Sequence, residues 1–191
     1  ELGHNHGGSV QTAREMIQVA AQCGADAVKL QKRDNDTLYA KALLDAPYEN
    51  ENSFGPTYGA HRKALEFGVN DYLACQDVAD QANIQMCATA FDEPSADVLM
   101  SLDVPAIKLA SGSLTDRALL THVASLGKPL VVSTGGGTLT DVDRAVEWLQ
   151  GASFDSSWGL SAAHFSCSDL RSSPSHARAN CGWNFAAFAS P

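Results

Sequence analysis

The stretch Ala106-Ile107-Lys108-Leu109-Ala110-Ser111-Gly112-Ser113 decides how the rest of the chain is read. A short apolar run bounded by Pro105 and Gly112 has the pattern of a buried parallel strand, so a lysine inside it needs a reason. One reason is an anionic ligand at the strand's end. Lysine is almost never fully buried without a partner, and the following Ser-Gly supplies a hydroxyl and backbone N–H groups that can approach an anion closely. The alternative is a lysine paired with a neighbouring carboxylate.

Working outward, the same anomaly recurs. Ala27-Val28-Lys29-Leu30-Gln31 is a second apolar strand that carries a lysine. Before it, Glu1-Leu2-Gly3 ends a strand that runs into the glycine-rich loop His4-Asn5-His6-Gly7-Gly8. Ser9 then caps a helix in which Val10, Ala13, Met16, Ile17, Ala20 and Ala21 recur at helical spacing, and Gly24 closes it. From Lys32 to Phe67 the chain is polar and punctuated by Pro47, Gly55, Pro56 and Gly59, too long for an ordinary connection and so expected to be a functional excursion. A helix from about Asn70 to Ala82, the strand Ile84–Thr89 and a helix opened by Asp92, Glu93 and Pro94 follow. Beyond the opening strand come a helix over about Thr115 to Leu126, the strand Leu130–Ser133 and a helix over about Thr138 to Leu149.

Strands alternating with amphipathic helices predict an α/β fold with a parallel sheet. Polar residues gather where strands end: Glu1, Lys29 and Gln31, Thr89, Lys108 and Ser111, Ser133 and Thr134. In a (β/α)8 TIM-type barrel that edge is the catalytic face, because all strand ends converge there. A doubly wound open sheet is the alternative. The glycine run Gly135-Gly136-Gly137 lacks the spacing of a Walker loop or a dinucleotide fingerprint.

Composition bounds the partners. The chain has 191 residues, 45% hydrophobic and 18% charged, as a soluble globular protein of one domain has. Its formal net charge of −9 argues against nucleic acid and anionic membrane as partners, and leaves any anionic substrate to be met by locally placed cations. The five cysteines form no C-x-x-C pair, so neither a disulfide framework nor a zinc site is expected, and core-filling thiols are. No apolar run approaches a membrane span and no signal peptide opens the chain, so a cytoplasmic protein is expected. The start, which is not a methionine, is read as trimmed.

Six motifs in order carry a family resemblance: Glu1–Gly8, Gly24–Lys32, Thr57–Phe67, Ala88–Asp92, Ile107–Gly112 and Ser133–Gly135. Together they resemble the sialic acid synthase family, the N-acetylneuraminate synthases that condense phosphoenolpyruvate with N-acetylmannosamine. The resemblance implies a (β/α)8 barrel, present here as about its first five to six βα units. Carried over, it implies that Lys29, Thr89, Lys108, Ser111 and Ser133 bind phosphoenolpyruvate, that Gln31 faces the sugar, and that Glu1 polarises the aldehyde or a water. Tyr58, with Gly59, His61 and Arg62, lies in a segment the family keeps near the mouth of the site. A divalent metal, Mn or Mg, is also implied, as is a homodimer for the intact family. The metal's usual histidines belong to later strands and are not visible in this chain; His4 and His6 read as loop hydrogen-bonding groups. Ala90, Ser113 and Leu30 stand where the family often has proline, an acid and phenylalanine. Acceptors of the legionaminate and pseudaminate branches stay open, and so does a Schiff-base aldolase using Lys108.

The resemblance covers residues 1–150, read as the N-terminal part of the synthase barrel. After Val146 the chain holds no valine or isoleucine, and residues 151–191 form a Ser/Ala-rich tail. One expectation is a reading-frame change near residue 152: codons compatible with Trp183 to Ser190, read one base later, spell Gly-Thr-Leu-Arg-Arg-Leu-His, similar to the family's helix after strand six. A five-strand piece leaves two sheet edges unpaired, so weak phosphoenolpyruvate binding and little turnover are expected of these 191 residues alone. A non-catalytic remnant is the competing reading.

Overall fold

The computed structural model describes residues 1–152; the expectations for the tail and for a reading-frame change lie outside the described residues. Helix α1 (Val10–Gln22) starts where Ser9 Oγ accepts the Thr12 amide at 3.1 Å, and it buries Ala13 and Ile17. Just before it, Gly8 has φ +81°, and a Cβ there would lie 2.1 Å from the Ala64 carbonyl oxygen, so only glycine lets the loop pass.

Strand β1 (Ala27–Lys32) pairs in parallel with β2 (Gln85–Ala90), β2 with β3 (Ile107–Leu109), and β3 with β4 (Leu130–Val132). The segment at Gly3 bridges in parallel to Leu30 on the free side of β1. Between the strands run α5 (Val69–Gln81), α6 (Glu93–Ser101) and α7 (Arg117–Ser125), α8 (Leu139–Ala152) follows β4, and α2 (Asn35–Leu38), α3 (Lys41–Leu44) and α4 (Tyr58–Leu65) are inserted after β1.

The strand order follows the sequence without reversal. Because crossovers between parallel strands are right-handed, such an order puts all the helices on one face, whereas a doubly wound sheet needs a switch point. None occurs among the described strands. α1 packs on α5, α6 on α7 and α7 on α8, which makes an arc of a (β/α)8 barrel with five βα units, the first strand reduced to the bridge at Gly3.

Alternation along the strands sets the two faces. Leu30, Ala88 and Ile107 are register partners, as are Ala90, Leu109 and Val132, and all join residues of the helices in one core. Leu30, Ile107 and Leu109 are fully buried, each stabilising by roughly 1.5–3 kcal/mol relative to exposure. The other row runs Gln31, Thr89, Lys108, with Lys29 beside Cys87 one step earlier. Of the cysteines expected to fill the core, Cys75 and Cys87 are buried and Cys23 is exposed at the end of α1, while Cys167 and Cys181 lie outside the described residues.

The excursion after β1 is folded rather than open. Asp34 Oδ1 caps α2 through the Thr37 amide at 2.9 Å, and the Tyr48 amide bonds the Pro56 carbonyl at 3.1 Å across an antiparallel bridge of Pro47 with Thr57. Asp92 joins the ends of two strands: Oδ1 caps α6 through the Ser95 amide at 2.8 Å, and Oδ2 accepts the Asp34 amide at 2.8 Å. Among the described residues no helix is long and apolar enough to cross a membrane.

Candidate active site

The polar row gathers at the C-terminal ends of the strands. Lys29 sits one pleat before Gln31, and its Nζ touches the Glu1 carboxylate and lies 3.3 Å from Thr89 Oγ1. Gln31 Nε2 faces Glu1 Oε1 at 3.4 Å. Thr89 is 2% exposed and pairs in register with Gln31 on one side and Lys108 on the other. Strand neighbours sit ~4.8 Å apart, so Gln31, Thr89 and Lys108 span about 10 Å across the sheet.

Two lysines therefore converge on one face of an acidic protein. Burial, then repulsion from Lys108, lowers the Lys29 ammonium to about 8, against a smaller upward influence from Cys87. Burial also lowers Lys108, and among the described residues this lysine makes no hydrogen bond or ion pair. Among the described residues, then, no carboxylate accounts for Lys108 without a ligand.

Ser111 opens a 3-10 turn, Ser111–Ser113, directly after β3, and Ser133 follows β4 with its amide on the Leu109 carbonyl at 3.1 Å. Both stand at the same edge as Lys108. Tyr58 is set apart. It begins α4, receives Arg62 Nε on its hydroxyl at 3.0 Å, and packs edge-on against Tyr39 and Tyr48, with ring centroids at 5.3 and 5.5 Å. Burial raises its phenol, but hydrogen bonds from Tyr39 and Arg62 outweigh that and leave it below the ordinary value. Of the expected site residues, Glu1, Lys29, Gln31 and Thr89 are joined directly, Lys108, Ser111 and Ser133 share their strand-end edge, and Tyr58 belongs to the adjacent aromatic cluster.

Three further residues at this edge, Arg33, Glu66 and Phe91, are not among the site residues the sequence singles out. The Arg33 guanidinium, in a residue 7% exposed, lies 3.7 Å from the centroid of the Phe91 ring and donates from Nη2 to Gln31 Oε1 at 2.8 Å. The register Lys32↔Ala90, carried one step further, is what brings residues 33 and 91 together. Glu66 binds Lys32 Nζ at 2.8 Å and the Arg33 amide at 3.1 Å, and its Oε2 is buried with no hydrogen bond. Burial raises the Glu66 carboxyl and Lys32 opposes the rise. The consecutive cations Lys32-Arg33 just past a strand, in a chain of net charge −9, and the motifs Thr57–Phe67 and Ala88–Asp92 that hold Glu66 and Phe91 are the signals that point to them.

The two loop histidines are occupied by protein groups. His6 stacks on Phe67 with centroids 4.0 Å apart and accepts the Gly8 amide on Nδ1 at 3.1 Å. His4 meets Arg33 Nη1 at 3.2 Å, and burial, then Arg33, lowers it to about 4, so it is neutral at neutral pH. Among the described residues no three His, Cys, Asp or Glu side chains are placed to hold a metal ion. Two of the three departures from the family pattern, Leu30 and Ala90, lie on the helix-facing side of the sheet, away from the lysines; Ser113 is buried in the turn after β3.

The sequence profile of the NeuB family matches residues 16–162. The N-acetylneuraminate-9-phosphate synthase of Drosophila melanogaster is 39% identical over 150 residues, which is 78% of this chain and 40% of that protein. The N,N'-diacetyllegionaminic acid synthase of Legionella pneumophila is 38% identical over 151 residues, 78% of this chain and 42% of that protein. The chain thus spans less than half the length of these relatives. The sialic acid synthetase of Leptospira borgpetersenii, crystallised with citrate, superimposes with a TM-score of 0.68 at 24% identity, over 86% of this chain and 50% of that one, a likeness of fold.

Proposed function

The chain belongs to the NeuB family, and we propose that it forms the phosphoenolpyruvate-binding half of a transferase that condenses this substrate with an N-acetylated hexosamine, N-acetylmannosamine in the simplest case, to give a nine-carbon sugar acid. One observation carries the reading: Lys29 and Lys108 converge on the strand-end face, and Lys108 has no partner of its own among the described residues. A small ligand with a carboxylate and a phosphate relieves their repulsion and favours the ammonium form of both.

In this proposal Lys29 and Lys108 hold the two anionic groups as point charges, and the hydroxyls of Thr89, Ser111 and Ser133 complete the shell. The enol π pair of phosphoenolpyruvate forms a bond from C3 to the sugar's aldehyde carbon, and the aldehyde oxygen takes a proton. Water then adds at C2 and loses a proton, and inorganic phosphate departs with the bridging oxygen as the C2–O bond breaks. Glu1, in contact with Lys29, is the group placed to pass a proton to or from the water or the aldehyde oxygen. Gln31 faces the acceptor. Among the described residues no three His, Cys, Asp or Glu side chains form a site for a divalent ion.

Three carbons added to six put the sugar's C6 at C9 of the product, so a 9-phosphate product corresponds to an acceptor phosphorylated at C6. Relatives of two product classes stand at 39% and 38% identity, which sets the arms of the experiment. The full-length protein is given phosphoenolpyruvate labelled with 18O at the bridging position and one of three acceptors: N-acetylmannosamine, its 6-phosphate, or a diacetamido hexose. Acceptor-dependent release of phosphate that retains the label supports the proposal. No release with any acceptor, or Schiff-base trapping of pyruvate by borohydride at Lys108, contradicts it.

A further inference from the structure

We infer that Arg33 is a positioning residue that fixes which end of the Gln31 carboxamide faces the acceptor sugar. The inference rests on the function proposed above, in which Gln31 meets that sugar. A glutamine amide is ambiguous by itself, since one end accepts hydrogen bonds and the other donates. Arginine has no acceptor, so a guanidinium within hydrogen-bond range admits only the oxygen end. Arg33 Nη2 lies 2.8 Å from Gln31 Oε1, and the NH2 end is thereby turned toward the polar face, where Glu1 Oε1 is 3.4 Å from it.

The guanidinium is itself held in place. Its carbon lies 3.7 Å from the Phe91 ring centroid, and Nη1 faces the His4 imidazole at 3.2 Å. Glu66, the nearest competitor, spends Oε1 on the Lys32 ammonium and the Arg33 main-chain amide, and no carboxylate forms an ion pair with the guanidinium among the described residues. With Nη1 on His4, Nη2 is therefore free for Gln31. An N-acetylated hexosamine presents an acetamido carbonyl and ring hydroxyls, all of which accept, and a fixed NH2 group recognises them where a flipped amide would repel the carbonyl. Lysine could donate to Gln31 but has no plane to lay on Phe91, so it should substitute only in part.

The test uses the full-length protein with Arg33→Gln, whose own amide can donate or accept and so frees Gln31 to flip, alongside Arg33→Lys. Loss of one oriented hydrogen bond is expected to raise KM for the hexosamine about tenfold, with kcat and the Kd for phosphoenolpyruvate within about twofold of the parent. Arg33→Lys should recover part of that KM. An unchanged KM, or an equal loss of phosphoenolpyruvate affinity, would overturn the inference, the latter because it marks a general loosening of the strand end. If the parent protein consumes no acceptor at all, the functional reading fails instead, and the inference is then decided by a crystal structure of the Arg33→Gln variant. Movement of the Gln31 carboxamide to another rotamer upholds it, and an undisturbed carboxamide rejects it.

Discussion

The two faces of the sheet use alternate residues of the same strands for opposite ends. Leu30 is fully buried against the helices, while its neighbour Gln31 meets Arg33 and Glu1 on the other side. Likewise Ile107 and Leu109 are fully buried and Lys108 between them has no partner among the described residues. One face stores stability as apolar area removed from water. The other gives up some of it by holding two ammonium groups close together and half out of solvent. Substitutions one residue apart should therefore split into those that change melting and those that change binding.

The largest effect belongs to the helix-facing side. Leu30→Ala removes a fully buried side chain and should cost about 2–5 kcal/mol, read as a lower midpoint in denaturant unfolding. Phosphoenolpyruvate affinity of the molecules that stay folded should hold; a loss in step with stability would blur the division between faces. On the other side, Lys29→Met should weaken phosphoenolpyruvate by roughly 10- to 100-fold, the size of a charge-assisted hydrogen bond of about 1.5–3 kcal/mol. Its melting temperature should change little, since relief of the repulsion from Lys108 and the gain of apolar surface offset the lost contacts with Glu1 and Thr89.

A smaller effect tests the boundary between the faces. Asp92→Ala deletes the cap of α6 and the acceptor for the Asp34 amide, with an expected cost of about 1–2 kcal/mol. Asp92→Asn keeps one acceptor oxygen and should recover part of it. Calorimetry on the two variants separates these outcomes.

The smallest effect is with pH. The Lys29 pKa is lowered by folding, so between about 8 and the ordinary lysine value the unfolded chain binds more protons than the folded one. Stability of the ligand-free protein should therefore gain a favourable increment as pH rises through that window, and pay the full cost of the charged form below it. Phosphoenolpyruvate binding should move oppositely and weaken above pH 8, because the anion needs the ammonium form. Lys29→Met should flatten both trends. A binding curve whose pH dependence survives that substitution would assign the titration to another group.

Much of this division can be read from the chain. The alternation that buries Leu30 and Ile107 also exposes the anomaly of Lys29 and Lys108, because a charge inside an apolar run breaks a pattern of period two. Caps at Ser9 and Asp92 mark their helices through local side-chain chemistry. Helices α2 and α3 are four residues each, too short to show a period, so the sequence marks the excursion after β1 as functional but not as helical there. The surroundings of Arg33 were not legible for a different reason. His4, Gln31, Glu66 and Phe91 are brought together by strand register and by the path of the chain through α4, which no local spacing encodes. Tyr58 shows the converse: its motif is local, yet its ring packs with Tyr39 and Tyr48 and does not join the lysines.

The adjacent pair Lys108 and Leu109 gives the most direct test of the account. Titration calorimetry with phosphoenolpyruvate and thermal melting are to be run on the full-length protein and on Lys108→Met and Leu109→Ala. The account predicts that Lys108→Met loses about tenfold or more in affinity without melting lower, and that Leu109→Ala melts lower while retaining affinity. Equal phosphoenolpyruvate binding by the parent and Lys108→Met, or a parent that does not bind it, would contradict the claim that the strand-end lysines form the anion site.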